Sequence, residues 1–302
     1  MDDVLADYLV TCPPPLPVPD PDEVRALASR IVRHASTSPG SLPVSPGLAT
    51  KIIDVLERPE VEINQLVRLI HQDVAVSTKI LEVANSAVYG GSTSIQTLRG
   101  AVVHLGMREV AGIAVTMAGR ALFELESRAQ FEAYAPLWSR LYHDALTTAF
   151  TAGWLAQRLR LPESDRALVG GMLHGIGKPI ALRSLSTLLV AGKVARASDG
   201  VVESMLEVAR AECAALAVKR WHLPAHLVSI AADQGGDTRE RSAVGLVAAL
   251  VGLRWGSAVA PLFVAEARRE IAKLALDAPL LRVLTQQVGE YAERVEAILP
   301  SR

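Results

Sequence analysis

Cysteine, aromatic residues and an excess of either charge are all scarce in this chain. Two cysteines, Cys12 and Cys213, among 302 residues give neither a disulfide framework nor the spacing of a zinc site, which favours a reducing compartment. The formal net charge is −1 and no long basic run occurs, so we expect no surface for nucleic-acid phosphates. Aromatic residues make up only 4% of a chain dominated by alanine, leucine and valine, which favours packed helices over a β-sandwich.

An uninterrupted hydrophobic run of membrane-spanning length is also missing, although the mean hydropathy is +0.26. The longest candidate, Ser242 to Ala265, contains Arg254 in its middle and a proline near its end, and each uncharged half is too short to span. The first residues, Met-Asp-Asp-Val, are acidic where a signal peptide carries positive charge. We therefore predict a cytoplasmic protein without a membrane partner.

Prolines are concentrated near the N-terminus and divide the chain there. Residues Thr11 to Pro21 contain six prolines and are predicted to form an extended leader after a short N-terminal segment. Pro21 begins a predicted helix that reaches about His34, and residues 36–46 form a second proline-rich break. The later pattern is helical almost throughout and no segment alternates as a strand does, so we predict an all-α fold.

Apolar spacing and capping residues locate the individual helices. Two successive segments each place four apolar residues on one helical face, namely Ile63, Leu66, Val67 and Ile70, then Val76, Ile80, Val83 and Ala84. Asp73 is placed to cap the second of them. Further helices are expected at about 97–105, 108–126, 130–160, 163–175, 178–192 and 200–220, with Pro224 opening another and two or three more within 239–300.

Five segments, in order along the chain, carry a recognisable pattern. They are Leu42-Pro-Val-Ser-Pro-Gly-Leu-Ala49, Ile70-His-Gln-Asp-Val-Ala-Val-Ser-Thr-Lys-Ile-Leu-Glu-Val-Ala-Asn-Ser-Ala-Val-Tyr-Gly90, Leu98-Arg-Gly-Ala-Val-Val-His-Leu-Gly106, Leu168-Val-Gly-Gly-Met-Leu-His-Gly-Ile-Gly-Lys178 and Lys219-Arg-Trp-His-Leu-Pro224. Together they resemble an HDOD domain over about residues 40–236, with Val74 where the family usually has proline. The HDOD domain is a bacterial signalling relative of the HD-superfamily metal-dependent phosphohydrolases.

This resemblance implies an N-terminal helical subdomain followed by an HD-like helical bundle. We divide the chain into a proline-rich leader and N-terminal helix at 1–38, an HDOD domain at 39–236 and a C-terminal helical extension at 237–302. Relatives work fused to, or beside, kinase, response-regulator and cyclic-dinucleotide domains, so such signalling proteins are the expected partners. Because none of these domains lies within the sequence, output is expected through a separate protein or through self-association, and the oligomeric state stays open.

The fourth segment is similar to the L-L-H-D-I-G-K segment of HD phosphohydrolases, whose adjacent His and Asp ligate a divalent metal. Alignment on the family pattern assigns the first histidine to His143 and the second to His174, and it places Gly175 at the aspartate. A later aspartate is also missing, because residues 243–252 contain no acidic side chain. Catalytic zinc needs three protein ligands. The resemblance therefore implies a vestigial metal site without cofactor or catalytic residues, and we predict that the chain is not an enzyme.

Two nearby patterns are rejected. His143-Asp144 spells HD but lies within a predicted helix, where successive side chains point about 100° apart. Gly171 to Lys178 has five residues between its outer glycines instead of four, and Pro179 follows the lysine, so it is not a Walker A phosphate loop. Its glycines are expected to serve close helix packing and a helix-ending turn.

Three functions remain open. The leading one is a non-catalytic signalling module that binds a protein or an effector, and the alternative is an HD-type phosphohydrolase acting on nucleotides or cyclic dinucleotides. The third is a vestigial pocket that binds a nucleotide without cleaving it. Its candidate contacts are Arg140, His143, His174 and Lys178. Asn85 and Ser86 are expected to bond the end of a helix, or to contact a ligand.

Overall fold

The structure is a computed structural model. It describes residues 2–38, 47–56, 62–85, 94–119, 123, 127–162, 164–221, 223, 225–232 and 237–298. These residues form sixteen α-helices, and no strand occurs among them. The predicted all-α fold is therefore confirmed. Within the same residues, no helix combines the length and the apolar character that crossing a membrane requires.

The chain divides into two compact units, one of residues 1–43 and 123–293 and the other of residues 44–122 and 294–302. The second unit contains α3 (Gly47–Leu56), α4 (Ile63–Ile70), α5 (Val74–Ala84), α6 (Leu98–Leu105) and α7 (Met107–Gly119). The first contains α1 (Asp2–Thr11), α2 (Pro21–Thr37), α8 (Arg128–Ala133), α9 (Ala135–Arg158), α10 (Ser164–His174), α11 (Gly177–Val190), α12 (Asp199–Trp221), α13 (Ala225–Ala231), α14 (Arg239–Leu253), α15 (Ala260–Leu274) and α16 (Ala278–Ile298) up to residue 293.

The second unit follows the sequence pattern closely. In α4 and α5 the apolar faces pack inward, with Leu66, Ile70, Val76, Ile80, Val83 and Ala84 buried. The carboxylate of Asp73 accepts a hydrogen bond from the backbone N–H of Val76 at 3.1 Å, which satisfies one of the unpaired amides of the first turn. Both expectations for this segment are confirmed.

The N-terminal residues are part of the core of the first unit. Val4 and Leu5 of α1 lie in one buried cluster with α9, α14, α15 and α16, and the Tyr8 hydroxyl donates to the carbonyl of Leu250 at 2.8 Å. Residues 13–20 are extended, as their prolines predict. The backbone N–H of Leu16 donates to the carbonyl of Gly256 at 2.8 Å, so this segment crosses the turn after α14. Helix α2 follows and packs on α11 and α12.

The predicted single helix at about 130–160 is wrong, because the structure breaks it into α8 and α9. Tyr134 adopts φ −143° between them. The reason is Pro136 in the first turn of α9: proline has no N–H to donate and its ring clashes with the preceding turn, so a helix cannot continue through it. The expected helix at 108–126 ends as α7 at Gly119, and most of its remaining residues lie outside the described part.

Candidate functional site

The positions that correspond to the HD metal ligands all lie in the first unit. His143 is in the middle of α9, His174 is the last residue of α10, and Gly175 begins the turn that leads into α11. Helices α9 and α10 pack against each other. We call the group of His143, His174 and Gly175 the vestigial site.

The imidazole of His143 is held by internal contacts. Its Nε2 lies 3.1 Å from the carbonyl oxygen of Ala292, and because a carbonyl only accepts, Nε2 must carry the proton and donate. The Nδ1 atom is buried without a hydrogen-bond partner among the described residues and lies 3.8 Å from Oδ1 of Asp144. The carboxylate of the neighbouring Asp144 also has an internal partner, because it accepts a hydrogen bond from the indole N–H of Trp255 at 2.7 Å.

Arg140 is one helical turn before His143 and forms an ion pair with Glu203 of α12. Glu203 is 6% exposed, and its second oxygen accepts from the Ser257 hydroxyl at 2.7 Å and from the Ala258 N–H at 3.3 Å. The Arg140 guanidinium also lies 5.9 Å from the centre of the Trp255 ring. This cation is therefore neutralised inside the protein.

Lys178, which follows the turn at residues 175–176, is also paired with a carboxylate inside the protein. Its ammonium group forms an ion pair with Glu207 of α12 and lies 5.5 Å from the centre of the Phe263 ring. Glu207 also approaches Arg210, with 3.6 Å between Oε2 and Nε. An incoming phosphate would have to compete with Glu207 for the lysine, as it would with Glu203 for Arg140.

The glycines around His174 differ in the space that surrounds them. A Cβ at Gly171 would lie 2.7 Å from Cα of Ala149, and one at Gly170 would lie 2.6 Å from Cδ1 of Ile230. At Gly177 it would collide with the backbone oxygen of Arg210. These three glycines permit close helix packing, as predicted. Gly175 differs, because nothing lies within 4 Å of a Cβ built there.

The residues of the vestigial site do not fit a divalent metal. Gly175 has no side-chain donor atom, and the carboxylate of Asp144 accepts a hydrogen bond from an indole N–H. In the part of the chain that the structure describes, no group of three His, Cys, Asp or Glu side chains is placed to hold a metal ion. Catalytic zinc sites use three protein ligands and structural ones use four.

The other candidate contact residues lie elsewhere. Asn85 belongs to the second unit, where its amide donates to the carbonyls of Leu81 and Ile95 at 2.8 Å each and its oxygen accepts from the Ile95 N–H at 2.8 Å. It therefore bonds the end of α5, as the helix-end interpretation predicts. Ser86 lies outside the described residues. The ligand-contact interpretation stays a prediction for both.

Cys213 is a core residue, as its alanine-rich surroundings predict. Its side chain is fully buried in α12, and burial, assisted by the negative charge of Glu212, raises the pKa of the thiol to about 12. A nucleophilic role would need a lowered pKa and an accessible thiol.

Sequence inspection missed Glu203, Glu207 and Trp255. The two glutamates occupy successive turns of α12, four residues apart, and Glu203 meets Arg140 across 63 positions of sequence. A signal for Glu203 existed in its buried environment, between Val202 and Ser204 in an apolar helix, because a carboxylate is rarely buried unless it is paired. Nothing in the local sequence indicates its partner.

The model of the HDOD domain matches residues 42–235, close to the expected 40–236. The chain belongs to the HDOD domain family. A protein of Treponema pallidum (strain Nichols) that has no assigned function is 24% identical over 223 residues, which cover 70% of this chain and 41% of the relative. The chain thus spans about two fifths of the length of that relative.

Three solved structures share the fold. An HDOD domain protein of unknown function from Geobacter sulfurreducens aligns with a TM-score of 0.63 and 18% identity, over 90% of this chain and 99% of the other. A proposed metal-dependent phosphohydrolase from Shewanella amazonensis aligns with a TM-score of 0.59 and 18% identity, with the same coverage. A proposed signal transduction protein from Marinobacter aquaeolei gives 0.59 and 19%, over 92% of this chain and 64% of the other. At these identities the likeness establishes the fold alone.

Proposed function

We propose that this chain is a non-catalytic regulatory module that acts in bacterial signalling by binding another protein or a small effector. The observation that carries the proposal is the closure of the vestigial site: the charged groups around it are each bound by a neighbouring side chain instead of facing a substrate. Arg140 is paired with Glu203, Lys178 with Glu207, and Asp144 with Trp255. Membership of the HDOD family supports a signalling role, since one structural neighbour is described in those terms.

The alternative, a metal-dependent phosphohydrolase, requires an activated water on a bound metal. The missing donor at Gly175 and the occupied carboxylate of Asp144 argue against it. The same closure argues against a nucleotide in this pocket, because a phosphate would have to displace two internal carboxylates from their cations. Signalling proteins with kinase, response-regulator or cyclic-dinucleotide domains remain the proposed partners.

Metal content and hydrolysis together test the proposal. The full chain is purified from cells supplied with manganese and iron, its metal is measured by mass spectrometry, and hydrolysis of bis(p-nitrophenyl) phosphate is followed. We expect substoichiometric metal that is unchanged in His143→Ala and His174→Ala, and no hydrolysis above buffer. Stoichiometric metal that is lost in both variants, together with phosphodiesterase activity, would falsify the proposal.

Gly175→Asp provides a matched gain-of-ligand variant. The space around Gly175 accommodates a side chain, so the substitution is expected to preserve the fold. Because His143 Nε2 and Asp144 are engaged by Ala292 and Trp255, we expect the added carboxylate to produce no hydrolysis. Hydrolysis by Gly175→Asp would show that a single substitution separates this chain from an enzyme, and would contradict the proposed closure of the site.

A further inference from the structure

A cavity of about 520 Å³ lies in the first unit between α1, the end of α14 and α16. Its volume is in the range of small-molecule sites, roughly 300–1,000 Å³. Its lining comes from residues 4–12 and 254–289, so it lies wholly outside the 42–235 segment that matches the family model. None of the lining residues belongs to the vestigial site; they come from α1, the end of α14 and α16.

One wall of the cavity is a polar stripe on α16. Arg282, Thr285, Gln286 and Gly289 line it at positions i, i+3, i+4 and i+7, which are neighbours on one face of a helix. Such spacing aims a guanidinium, a hydroxyl and an amide at the same space. Gly289 leaves that face open, because it contributes no side chain.

The facing wall repeats the spacing on α1. Val4, Asp7, Tyr8 and Thr11 line the cavity at positions i, i+3, i+4 and i+7, and Cys12 follows them in the lining. The Tyr8 hydroxyl is bound to the carbonyl of Leu250, which fixes the ring as a wall. Asp7 is the single acidic residue of the lining and is exposed, so its carboxylate can accept a hydrogen bond from a ligand hydroxyl.

Two arginines supply the positive charge. Arg254 caps the end of α14, and its Nη1 donates to the carbonyl of Val288 at 3.1 Å, which orients the guanidinium toward α16. Arg282 is exposed on α16. Among the described residues neither guanidinium forms an ion pair, in contrast to Arg140 and Lys178 at the vestigial site.

We propose that this cavity binds a small phosphorylated sugar, a class that includes nucleoside monophosphates. Arg254 and Arg282 would bind the phosphate, because guanidinium forks match its oxygens and form strong charge-assisted hydrogen bonds. The Thr11 and Thr285 hydroxyls donate to the carbonyls of Tyr8 and Arg282, so their oxygens and the Asp7 carboxylate can accept from sugar hydroxyls. The Gln286 amide provides both a donor and an acceptor. The proposal adds an effector to the regulatory role, but it does not depend on the chain being non-catalytic.

The rate at which the Cys12 thiol is labelled reports whether a ligand occupies the cavity. The chain has two cysteines, and the fully buried Cys213 is protected, so a maleimide reacts at Cys12 in the native protein. Labelling of the full chain is followed by mass spectrometry at pH 8.5 with adenosine monophosphate, ribose 5-phosphate, adenosine or inorganic phosphate. We expect adenosine monophosphate and ribose 5-phosphate to slow labelling in a saturable manner, while adenosine has no effect.

Two pairs of variants locate the binding. Arg282→Gln should weaken protection by the phosphorylated probes at least about 10-fold, since it removes one charged contact. Arg220→Gln, at an exposed arginine in the last turn of α12 that does not line the cavity, should match the wild type. Gly289→Leu should project a side chain into the cavity beside Arg254 and abolish protection. Gly289→Ala should retain it, because a Cβ there reaches only Nη1 of Arg254, at 3.9 Å.

Each contrary result overturns the proposal. Absence of protection by either phosphorylated sugar, equal protection by adenosine, or full protection in Arg282→Gln would each reject it. Protection by inorganic phosphate alone would reject the sugar and identify a site for the free anion. Because the assay measures neither metal nor hydrolysis, its failure would leave the proposed function standing, and a catalytic result there would not affect the cavity.

Discussion

Two glycines in the turn after α10 are separated by one residue and have opposite surroundings. Nothing lies within 4 Å of a Cβ at Gly175, whereas a Cβ at Gly177 collides with the backbone oxygen of Arg210 on α12. Neither residue has a positive φ. Gly175 is therefore a position that has room for a side chain, whereas Gly177 is required for close packing against α12.

We predict opposite effects of alanine at these positions. Gly175→Ala should be neutral or stabilise the protein by up to about 1 kcal/mol, because it restricts the unfolded chain without strain in the folded one. Gly177→Ala should destabilise by about 3 kcal/mol, because backbone atoms of α12 must move. Urea denaturation measures both values, and equal stability of the two variants would contradict the packing role of Gly177.

The reactivity of Cys12 should depend on pH in an unusual range. Burial is the main cause that raises the pKa of this thiol above its ordinary 9.0. Since the thiolate is the nucleophile, alkylation at pH 7 to 8 should be slower than for a free thiol, and it should rise about 10-fold per pH unit without a plateau below pH 9. Rates with iodoacetamide check this expectation, and a rate that is already half-maximal at or below pH 9.0 would contradict a raised pKa.

Residues whose role is local were predictable from the sequence, and residues whose role depends on a distant partner were not. Asp73 caps a helix that begins beside it, and the cap follows from residue type and position. Glu203 and Arg254 act on residues 63 and 34 positions away. Such pairs follow from helix packing, which a single sequence does not specify.

At the scale of elements, Glu203 joins three segments of the first unit. Its carboxylate accepts from Arg140 on α9 and from Ser257 and Ala258 in the turn before α15. A carboxylate that is 6% exposed survives there because all of its partners are present.

Glu203→Ala should therefore destabilise the protein by about 3 kcal/mol, because it leaves the Arg140 charge largely buried without its partner. Glu132→Ala removes the partner of Arg128 in a pair whose side chains are 90% and 58% exposed, and it should cost less than about 0.5 kcal/mol. Thermal and urea denaturation compare the two variants. A cost for Glu203→Ala as small as for Glu132→Ala would show that water replaces the ion pair.

Helix positions were largely predictable, since apolar spacing and prolines are local signals. The start of α2 at Pro21 follows from its proline and from the capping side chain of Asp20. The break between α8 and α9 carried the same kind of signal in Pro136, which a continuous apolar pattern obscured. The helix α1 was not predicted, because its stability comes from burial of Val4 and Leu5 rather than from its own sequence.

At the scale of the whole molecule, the two compact units do not coincide with the three segments into which we divided the sequence. The parts expected at 1–38 and 237–302 belong mainly to the unit that also contains residues 123–236. Both ends of the chain thus contribute to one core, a long-range arrangement that linear division does not reveal. The boundaries assigned from the sequence remain predictions of where the HDOD domain begins and ends. They do not describe which helices pack together.

Removal of residues 1–20 should consequently destabilise the first unit. Val4 and Leu5 are 4% and 2% exposed, and each contributes about 1.5–3 kcal/mol when buried, so a loss of roughly 3–6 kcal/mol is expected. Val10→Ser and Val18→Ser, at positions 87% and 74% exposed, should stay within about 0.5 kcal/mol of the wild type. Calorimetric unfolding compares the three, and an unchanged transition after truncation would show that α1 is dispensable.

The three crowded glycines around His174 also bear on how hydrolases are counted in genomes. Gly170, Gly171 and Gly177 each meet a neighbouring helix, and this need persists whether or not a metal was ever bound. A motif scan that scores the whole segment from Leu168 to Lys178 would therefore give a high score to glycines that are needed for packing. It would separate this chain from an enzyme only by the substitution at Gly175. The informative letter is the one with space around it, Gly175, and a census of enzymes should weigh that position above its neighbours.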